Sequence, residues 1–318
     1  MWAAALQASH HFPLPFLFDC YKFQRAMNSK ILLLALISVS GLIAPSRLHA
    51  QAPKVDFPAA SPACTLKQRV GLTDFEIAYS RPGVKERTVF GGIVPYGQVW
   101  RTGANQATKI TFNTPVKFNG TEMPAGTYGL FTIPGEDEWT IILNKNSAQW
   151  GAYQYNAKDD VARFKVTPVM LRDTAIETFT IEFNHIRDES AVLNLVWDKI
   201  VVPIHLEVNV NGKLVPQIEA AMASPDKKDA GLYFQSAAFY YNHDLDLKKA
   251  LAWVNAGLEG QPRIAFELLH LKAQILAKQG DKPGAIAAAK QSSEMAIKAE
   301  GSGSSFVKMN DDIISSLK

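Results

Sequence analysis

The sequence has little cysteine and, after its first 50 residues, no long apolar stretch. Cys20 and Cys64 are its two cysteines, and Cys20 lies in a part of the chain that we expect to be absent from the mature protein, so we predict no intrachain disulfide. No run after residue 50 approaches the ~18 consecutive apolar residues typical of a transmembrane helix. The fold therefore has to rest on its hydrophobic core, and residues 51–318 are enough for one or two domains.

Sequence motifs of catalytic and metal-binding proteins are also missing. The four histidines after residue 50 (His185, His205, His243 and His270) have no metal-ligand spacing, and the sequence has neither a nucleophile elbow nor a phosphate-binding loop. Of 33 basic and 30 acidic residues, four basic and one acidic lie in the first 50, which leaves 29 of each sign. Such a balance gives no electrostatic reason to expect nucleic acid or an anionic membrane. We predict no metal, no cofactor and no nucleic-acid partner.

Residues 27–50 have the pattern of a secretory signal peptide. A short positively charged start precedes the apolar stretch 31–44, and the segment ends with a small residue, Ala50. We predict cleavage after Ala50 and a periplasmic or secreted protein that begins at Gln51. A signal peptide normally stands at the start of a chain, so we interpret residues 1–26 as a mis-assigned upstream extension.

The next part of the sequence is typical of β-structure. Residues 51–63 are rich in proline and alanine and predict an extended lead-in. Residues 64–210 contain short runs of alternating apolar and polar residues between Pro/Gly turns, which predict a mostly antiparallel β-sandwich-like domain. The pairs Asn119-Gly120 and Asn211-Gly212 are typical of hairpin turns.

The composition then changes to alanine, leucine and lysine at helical spacing. Residues 229–318 predict an α-helical domain, joined through a linker at 211–228, so the fold class is α+β with two domains. Two copies of a helical hairpin can be aligned, with Ala250 and Ala285 at equivalent positions 35 residues apart, close to the period of about 34 of tetratricopeptide repeats. Plain helical hairpins are the alternative, and either kind should pack on the β domain.

Six short motifs follow one another between residues 79 and 153. They are YSRP (79–82), RTVFG (87–91), VPYG (94–97), VWRTGAN (99–105), PAGTYGLFTIP (124–134) and QWGAY (149–153). In this order they resemble the domain-of-unknown-function 2911 family, over about residues 55–210. The resemblance implies an exported bacterial envelope protein, sometimes with repeat helices attached, and it implies no activity.

The fourth of these motifs, VWRTGAN, contains residue types suited to ligand recognition. Trp100, Arg101 and Asn105 lie between a strand-like start and a turn. Arginine offers a planar fork of donors, asparagine a donor and an acceptor, and tryptophan a stacking face. They predict a site for a carboxylate, a phosphate or sugar hydroxyls.

Four further side chains are candidates for the same site. Arg81 and Arg87 flank a Pro-Gly turn, and Trp150 and Tyr153 lie on a glycine-interrupted loop that can form an aromatic platform for a sugar ring. The alternative interpretation is structural, because arginines often tie loops together and large aromatic side chains usually fill the core.

These observations favour a non-catalytic binding protein. The helices would offer a surface to a protein or peptide partner, and the Arg101 loop would hold a polar or sugar-like ligand. A hydrolase acting on envelope polymers is the first alternative, with Arg101 and Asn105 stabilising charge, but it lacks an identifiable carboxylate as acid or base. We interpret Asp159-Asp160 as solvated caps. The second alternative is a structural scaffold with no small-molecule site.

We predict that the exported protein begins at Gln51, because the apolar stretch ends near Pro45 and Ala50 is a small residue before it. Intact-mass spectrometry of the exported form measures this directly. An exported form that retains Met1 or Met27 would contradict the prediction.

Overall fold

The computed structural model describes residues 56–260 and 262–318. The predicted extension (1–26), the signal peptide (27–50) and residues 51–55 lie outside the described residues. Residues 58–318 form one compact unit. None of the helices in the described ranges combines the length and the apolar character needed to cross a bilayer.

The strands of the first half form two antiparallel sheets, which confirms the predicted β-sandwich-like architecture. Sheet 1 contains, from edge to edge, β1 (Ala63–Val70), β2 (Thr73–Ser80), β3 (Thr108–Phe112), β6 (Gly126–Ile133), β7 (Trp139–Asn144) and β8 (Asp160–Val166). Sheet 2 contains β10 (Ile176–Asn184), β11 (Ser190–Asp198), β12 (Ile200–Val208), β4 (Val116–Phe118) and β5 (Thr121–Met123), and the short β9 (Val169–Met170) pairs with β12.

Apolar side chains from both sheets meet in one core. Phe75 of β2 contacts Phe183 of β10, with ring centroids 5.4 Å apart, and Phe112 of β3 contacts Phe118 of β4 at the same separation. Alternate residues of a strand share a face, so the period-two pattern in the sequence places these rings between the sheets. Burial of this aromatic and aliphatic surface is the main stabilising contribution to the domain.

The two Asn-Gly pairs have different structures. Asn119-Gly120 connects β4 to β5 with φ values of 45° and 81°, as predicted for a hairpin turn. The prediction for Asn211-Gly212 is wrong, because this pair lies in the first turn of helix α1 (Val210–Ala223). The Asn209 side chain accepts a hydrogen bond from Gly212 N (2.6 Å), and this N-cap favours a helix start over a hairpin.

Helix α1 occupies most of segment 211–228, where the sequence predicts a linker. Its apolar residues Val210, Leu214 and Ile218 recur every four positions and therefore share one face. Leu214 packs against the sandwich core and also against the core of the helical half, and Ile218 belongs to the latter. The connection is thus a packed helix, and the non-helical part before α2 is limited to residues 224–229.

Five more helices complete the chain. They are α2 (Ala230–Asn242), α3 (Leu247–Gly257), α4 (Ala265–Gln279), α5 (Lys282–Glu300) and α6 (Ser305–Leu317). Helix α2 packs with α3, α4 packs with α5, and α6 packs on both α4 and α5. Ala250 and Ala285 are completely buried, which allows close helix approach. The helical pairs are as predicted, and their likeness to tetratricopeptide repeats stays a prediction.

The helical half is attached to the sandwich by apolar and polar contacts. Phe239 of α2 packs against the sandwich core. The Glu189 carboxylate accepts hydrogen bonds from Val210 N (3.2 Å) and Asn211 N (3.1 Å). This carboxylate satisfies free amide groups at the start of α1 and interacts favourably with the helix dipole.

We expect limited trypsin digestion of the folded protein to cut first after Lys227, because that exposed residue lies in the non-helical segment 224–229. The measurement is a time course analysed by mass spectrometry, with a fragment beginning at Lys228 as the expected product. A Lys227→Gln, Lys228→Gln variant is the control and should resist this cut. First cleavage within a strand of either sheet would contradict the prediction.

Candidate functional site

Trp100 packs mainly in the protein core, and only its edge borders the cleft described below. It packs against four other rings, and together these five side chains form an aromatic cluster: Phe90, Trp100, Trp139, Phe179 and Trp197. Trp100 stacks on Trp197 with centroids 5.8 Å apart, and its indole N–H donates to Gly103 O (3.0 Å). With 9% of its surface exposed, Trp100 contributes mainly packing, which favours the structural interpretation for this residue.

Arg81 and Arg87 use their donors within the protein. Arg81, directly after β2, donates from Nε to Phe179 O (3.0 Å) and from Nη2 to Thr180 Oγ1 (2.7 Å). It therefore ties sheet 1 to β10 of sheet 2. Arg87 donates to Val84 O and Gly83 O and closes its own turn. Neither guanidinium lines the cleft described below.

Asn105 holds two loops together. Its φ of 58° lies in the left-handed region, which asparagine tolerates better than most residues. Its side-chain amide donates to Ser61 O (3.2 Å) and Ser80 Oγ (3.3 Å). Its backbone oxygen accepts hydrogen bonds from Gly151 N (2.9 Å) and from Arg101 Nη1 (3.0 Å).

Arg101 differs from the other two arginines because it makes one side-chain hydrogen bond where each of them makes two, and because it lines a cleft. Within the described residues it makes one side-chain hydrogen bond, from Nη1 to Asn105 O, and it forms no ion pair. Its partly buried side chain lines a cleft of about 290 Å³ formed by residues 93–95, 98–101 and 152–153, here called the Arg101 cleft. A permanent charge in this setting is suited to a ligand.

Tyr153 and Trp150 are the exposed aromatic residues of the neighbouring loop. Tyr153 is 81% exposed and lines the Arg101 cleft, whereas Trp150 is 59% exposed and does not line it. Gly151 has φ +67°, and a Cβ at this position would lie 2.8 Å from the Tyr153 ring and 3.0 Å from Arg101 Nη1. The ring and the guanidinium therefore lie close together around this glycine, where any side chain would clash.

The loop 145–159, which carries both aromatic residues, is clamped at its base. Asp160 has a side chain only 5% exposed. Its carboxylate accepts hydrogen bonds from Tyr155 Oη (2.6 Å) and Asn144 Nδ2 (2.8 Å) and pairs with Arg163 Nε (3.0 Å). Asn144 also donates to Asn156 O (3.1 Å). The buried side chains of Asn144 and Asp160 therefore together hold the end of the loop.

Tyr155 fixes the loop to the outer face of sheet 1. Its ring packs on Phe131, with centroids 5.3 Å apart. Burial, reinforced by the hydrogen bond to Asp160, raises the pKa of Tyr155 to about 12. The hydroxyl therefore keeps its proton at neutral pH and remains a donor to the carboxylate.

The interpretation of Asp160 as a solvated cap is wrong, because its carboxylate is buried and fully partnered. The sequence offered one signal, Arg163 three residues later on the same strand, β8. Asn144 becomes a neighbour of Asp160 only after β7 and β8 pair, and Tyr155 reaches it only through the fold of the loop between them. Asp159, in contrast, makes no side-chain hydrogen bond within the described residues.

A larger cleft of about 510 Å³ lies between β4, β5, β12 and the start of α1. Glu207, Lys117 and Glu122 lie side by side there on three neighbouring strands. Opposite charges in alternation are typical of a solvated sheet face. None of the predicted site residues lines this cleft, and we regard it as surface.

Other reactive groups of the described residues are dispersed. No three or more His, Cys, Asp or Glu side chains there are arranged to hold a metal ion. Cys64 is a free thiol on β1, opposite Tyr79 of β2. His270 of α4 is buried with Nδ1 2.7 Å from Asn310 Oδ1 of α6. None of these side chains lines the Arg101 cleft.

Comparison with known proteins gives one family. Residues 61–206 match the family model described as "Protein of unknown function (DUF2911)", which confirms the resemblance in the sequence. The match covers the sandwich and stops before α1. No curated protein and no solved structure matches the chain.

We expect Asp160→Asn to lower the free energy of unfolding by about 1–3 kcal/mol, because the amide leaves buried donors without their acceptor. Denaturant unfolding measures the change. Asp159→Asn is the matched control and should alter stability by less than about 0.5 kcal/mol. Equal stability of both variants would show that the Asp160 clamp does not hold the loop.

Proposed function

We propose that this chain, whose residues 61–206 belong to the DUF2911 family, is an exported, non-catalytic binding protein that holds a small polar or sugar-like ligand in the Arg101 cleft. The observation that carries the proposal is the partly buried Arg101 guanidinium beside the exposed Tyr153 ring. Export is supported by the signal-like residues 27–50.

The charge of Arg101 supports a binding function. An arginine stays ionised at physiological pH, and taking it partly out of water is unfavourable unless its donors are satisfied. Arg81 and Arg87 each donate two hydrogen bonds, from Nε and Nη2, to backbone or hydroxyl oxygens, whereas Arg101 donates one, from Nη1 to Asn105 O. A ligand oxygen is a natural acceptor for the remaining donors.

The exposure of Tyr153 supports a ring-shaped ligand. A tyrosine side chain with 81% of its surface in water loses most of the burial that normally stabilises aromatic residues. Its ring face is available for stacking on a sugar or aromatic ring, and its hydroxyl for a hydrogen bond. At about 290 Å³, the cleft is at the small end of ligand sites, which suits a ligand of about one ring.

The lining of the cleft favours binding over hydrolysis. General acid–base catalysis needs a titratable group within reach of the substrate, and residues 93–95, 98–101 and 152–153 include no Asp, Glu, His or Cys. Asp160 is committed to Tyr155, Asn144 and Arg163. The scaffold alternative accounts for Arg81, Arg87, Trp100 and Asn105, but it gives no reason for the exposure of Tyr153.

A protein or peptide partner on the helical domain is the second candidate. Ile297 of α5 and Met309 of α6 lie on helices that pack together, with 43% and 42% of their surfaces exposed. Apolar side chains of this kind are often covered at interfaces.

We expect Tyr153→Ala to weaken ligand binding by about tenfold without lowering the melting temperature, because a stacking contact contributes on the order of 0.5–1.5 kcal/mol beyond its buried area. Titration calorimetry with glucose, galactose, N-acetylglucosamine and glucuronate provides the measurement. Gln154→Ala, on the exposed neighbour that does not line the cleft, should bind like wild type. Absence of binding throughout this panel, or equal binding by the Tyr153 variant, would contradict the proposal.

A further inference from the structure

We infer that the Arg101 cleft selects a ligand with a single carboxylate on a ring-shaped body, such as a hexuronic acid or an aromatic acid. The inference rests on the proposed function and narrows its ligand class from polar in general to monoanionic.

The charge of the cleft is the first argument. Arg101 is the only charged residue of its lining, and the other members are apolar apart from Gln98 and the hydroxyl of Tyr153. Arg101 forms no ion pair with any described acidic residue. One positive charge is therefore left for a ligand to neutralise, and a bound anion would supply the charge-assisted hydrogen bonds that the protein itself does not provide.

The hydrogen bonding of the guanidinium is the second argument. Nη1 is engaged by Asn105 O at 3.0 Å, which restricts the rotation of the group. Nε and Nη2 have no partner within the described residues. These two nitrogens form one edge of the guanidinium, and such an edge binds both oxygens of a carboxylate in a two-pronged pair.

The number of donors separates a carboxylate from a phosphate. A phosphate monoester carries nearly two negative charges and three acceptor oxygens at neutral pH, and sites for it usually combine several cations or a helix N-terminus. The lining offers one cation and no helix start, since residues 93–95, 98–101 and 152–153 all lie in strands or loops. A single carboxylate fits this donor set.

The apolar part of the lining indicates the body of the ligand. Ile93, Pro95, Val99 and Ala152 provide aliphatic surface beside the Tyr153 ring. A short polar acid such as formate would leave this surface in contact with water, whereas a ring would cover it and gain burial free energy.

Matched pairs of ligands test the inference on the wild-type protein. Titration calorimetry compares glucuronate with glucose, galacturonate with galactose, and benzoate with benzyl alcohol, with glucose 6-phosphate as the phosphate probe. We expect each acid to bind at least about tenfold tighter than its neutral partner, and this preference to fall as salt is raised because charge attraction is screened. The wild-type comparison needs no variant and is independent of any effect on folding.

Variants assign the preference to Arg101. Arg101→Lys keeps the charge but lacks the planar fork, so the preference for the acid should fall by about threefold and not disappear, and Arg101→Gln should remove it. Tyr153→Ala should weaken both members of a pair while the preference remains. Melting curves confirm that each variant is folded.

The outcomes separate the two proposals. Two results would overturn the carboxylate inference and leave the binding function standing. One is equal binding of acids and their neutral partners, and the other is tighter binding of glucose 6-phosphate than of glucuronate. A preference retained in Arg101→Lys and Arg101→Gln would overturn the assignment to Arg101. Failure of every probe to bind would overturn the binding function itself.

Discussion

The Arg101 cleft depends on the way Trp100 is fixed to both sheets. Its ring stacks on Trp197 of β11 in sheet 2, while its backbone exchanges two hydrogen bonds with Thr132 of β6 in sheet 1, at 2.7 and 2.9 Å. Burial of a large aromatic side chain stabilises this arrangement by several hydrophobic and ring contacts at once. Arg101 follows Trp100 directly in the chain. The packing that holds the two sheets together therefore also fixes the backbone position from which the Arg101 side chain extends.

The second wall of the cleft is positioned by polar groups. The backbone oxygen of Asn105 accepts from both Gly151 N and Arg101 Nη1, so one atom sets the guanidinium and the aromatic loop relative to each other. The Asp160 clamp holds the base of that loop. A site whose walls are held before binding loses less conformational freedom when a ligand arrives, which favours affinity from few contacts.

Local sequence patterns were sufficient to predict most strands and helices. The candidate site was harder to predict, because its side chains form hydrogen bonds with residues that are distant in the sequence. The alternation of Phe75, Ile77 and Tyr79 was sufficient for β2, because side-chain period and burial are local properties. The use of Arg81 was not predictable, since its acceptors lie on β10, nearly 100 positions later in the chain. Among seven candidates, Trp100, Arg101 and Tyr153 line the cleft, and of these three Trp100 is committed to core packing. The helix at Asn211-Gly212 was missed because the capping side chain, Asn209, decides between a turn and a helix start.

The closed base of loop 145–159 has a consequence for how this domain can vary. Lys145 N donates to Asp159 O at 2.9 Å, so the chain leaves and re-enters sheet 1 at nearly the same place. Closing a longer loop between such ends costs only a small additional entropy, which grows with the logarithm of its length. The length of loop 145–159 is therefore only weakly constrained by the strands β7 and β8 that it connects. The residues of this loop that lie outside the Asp160 clamp can therefore vary in number and type while β7, β8 and the folding of the sandwich stay unchanged.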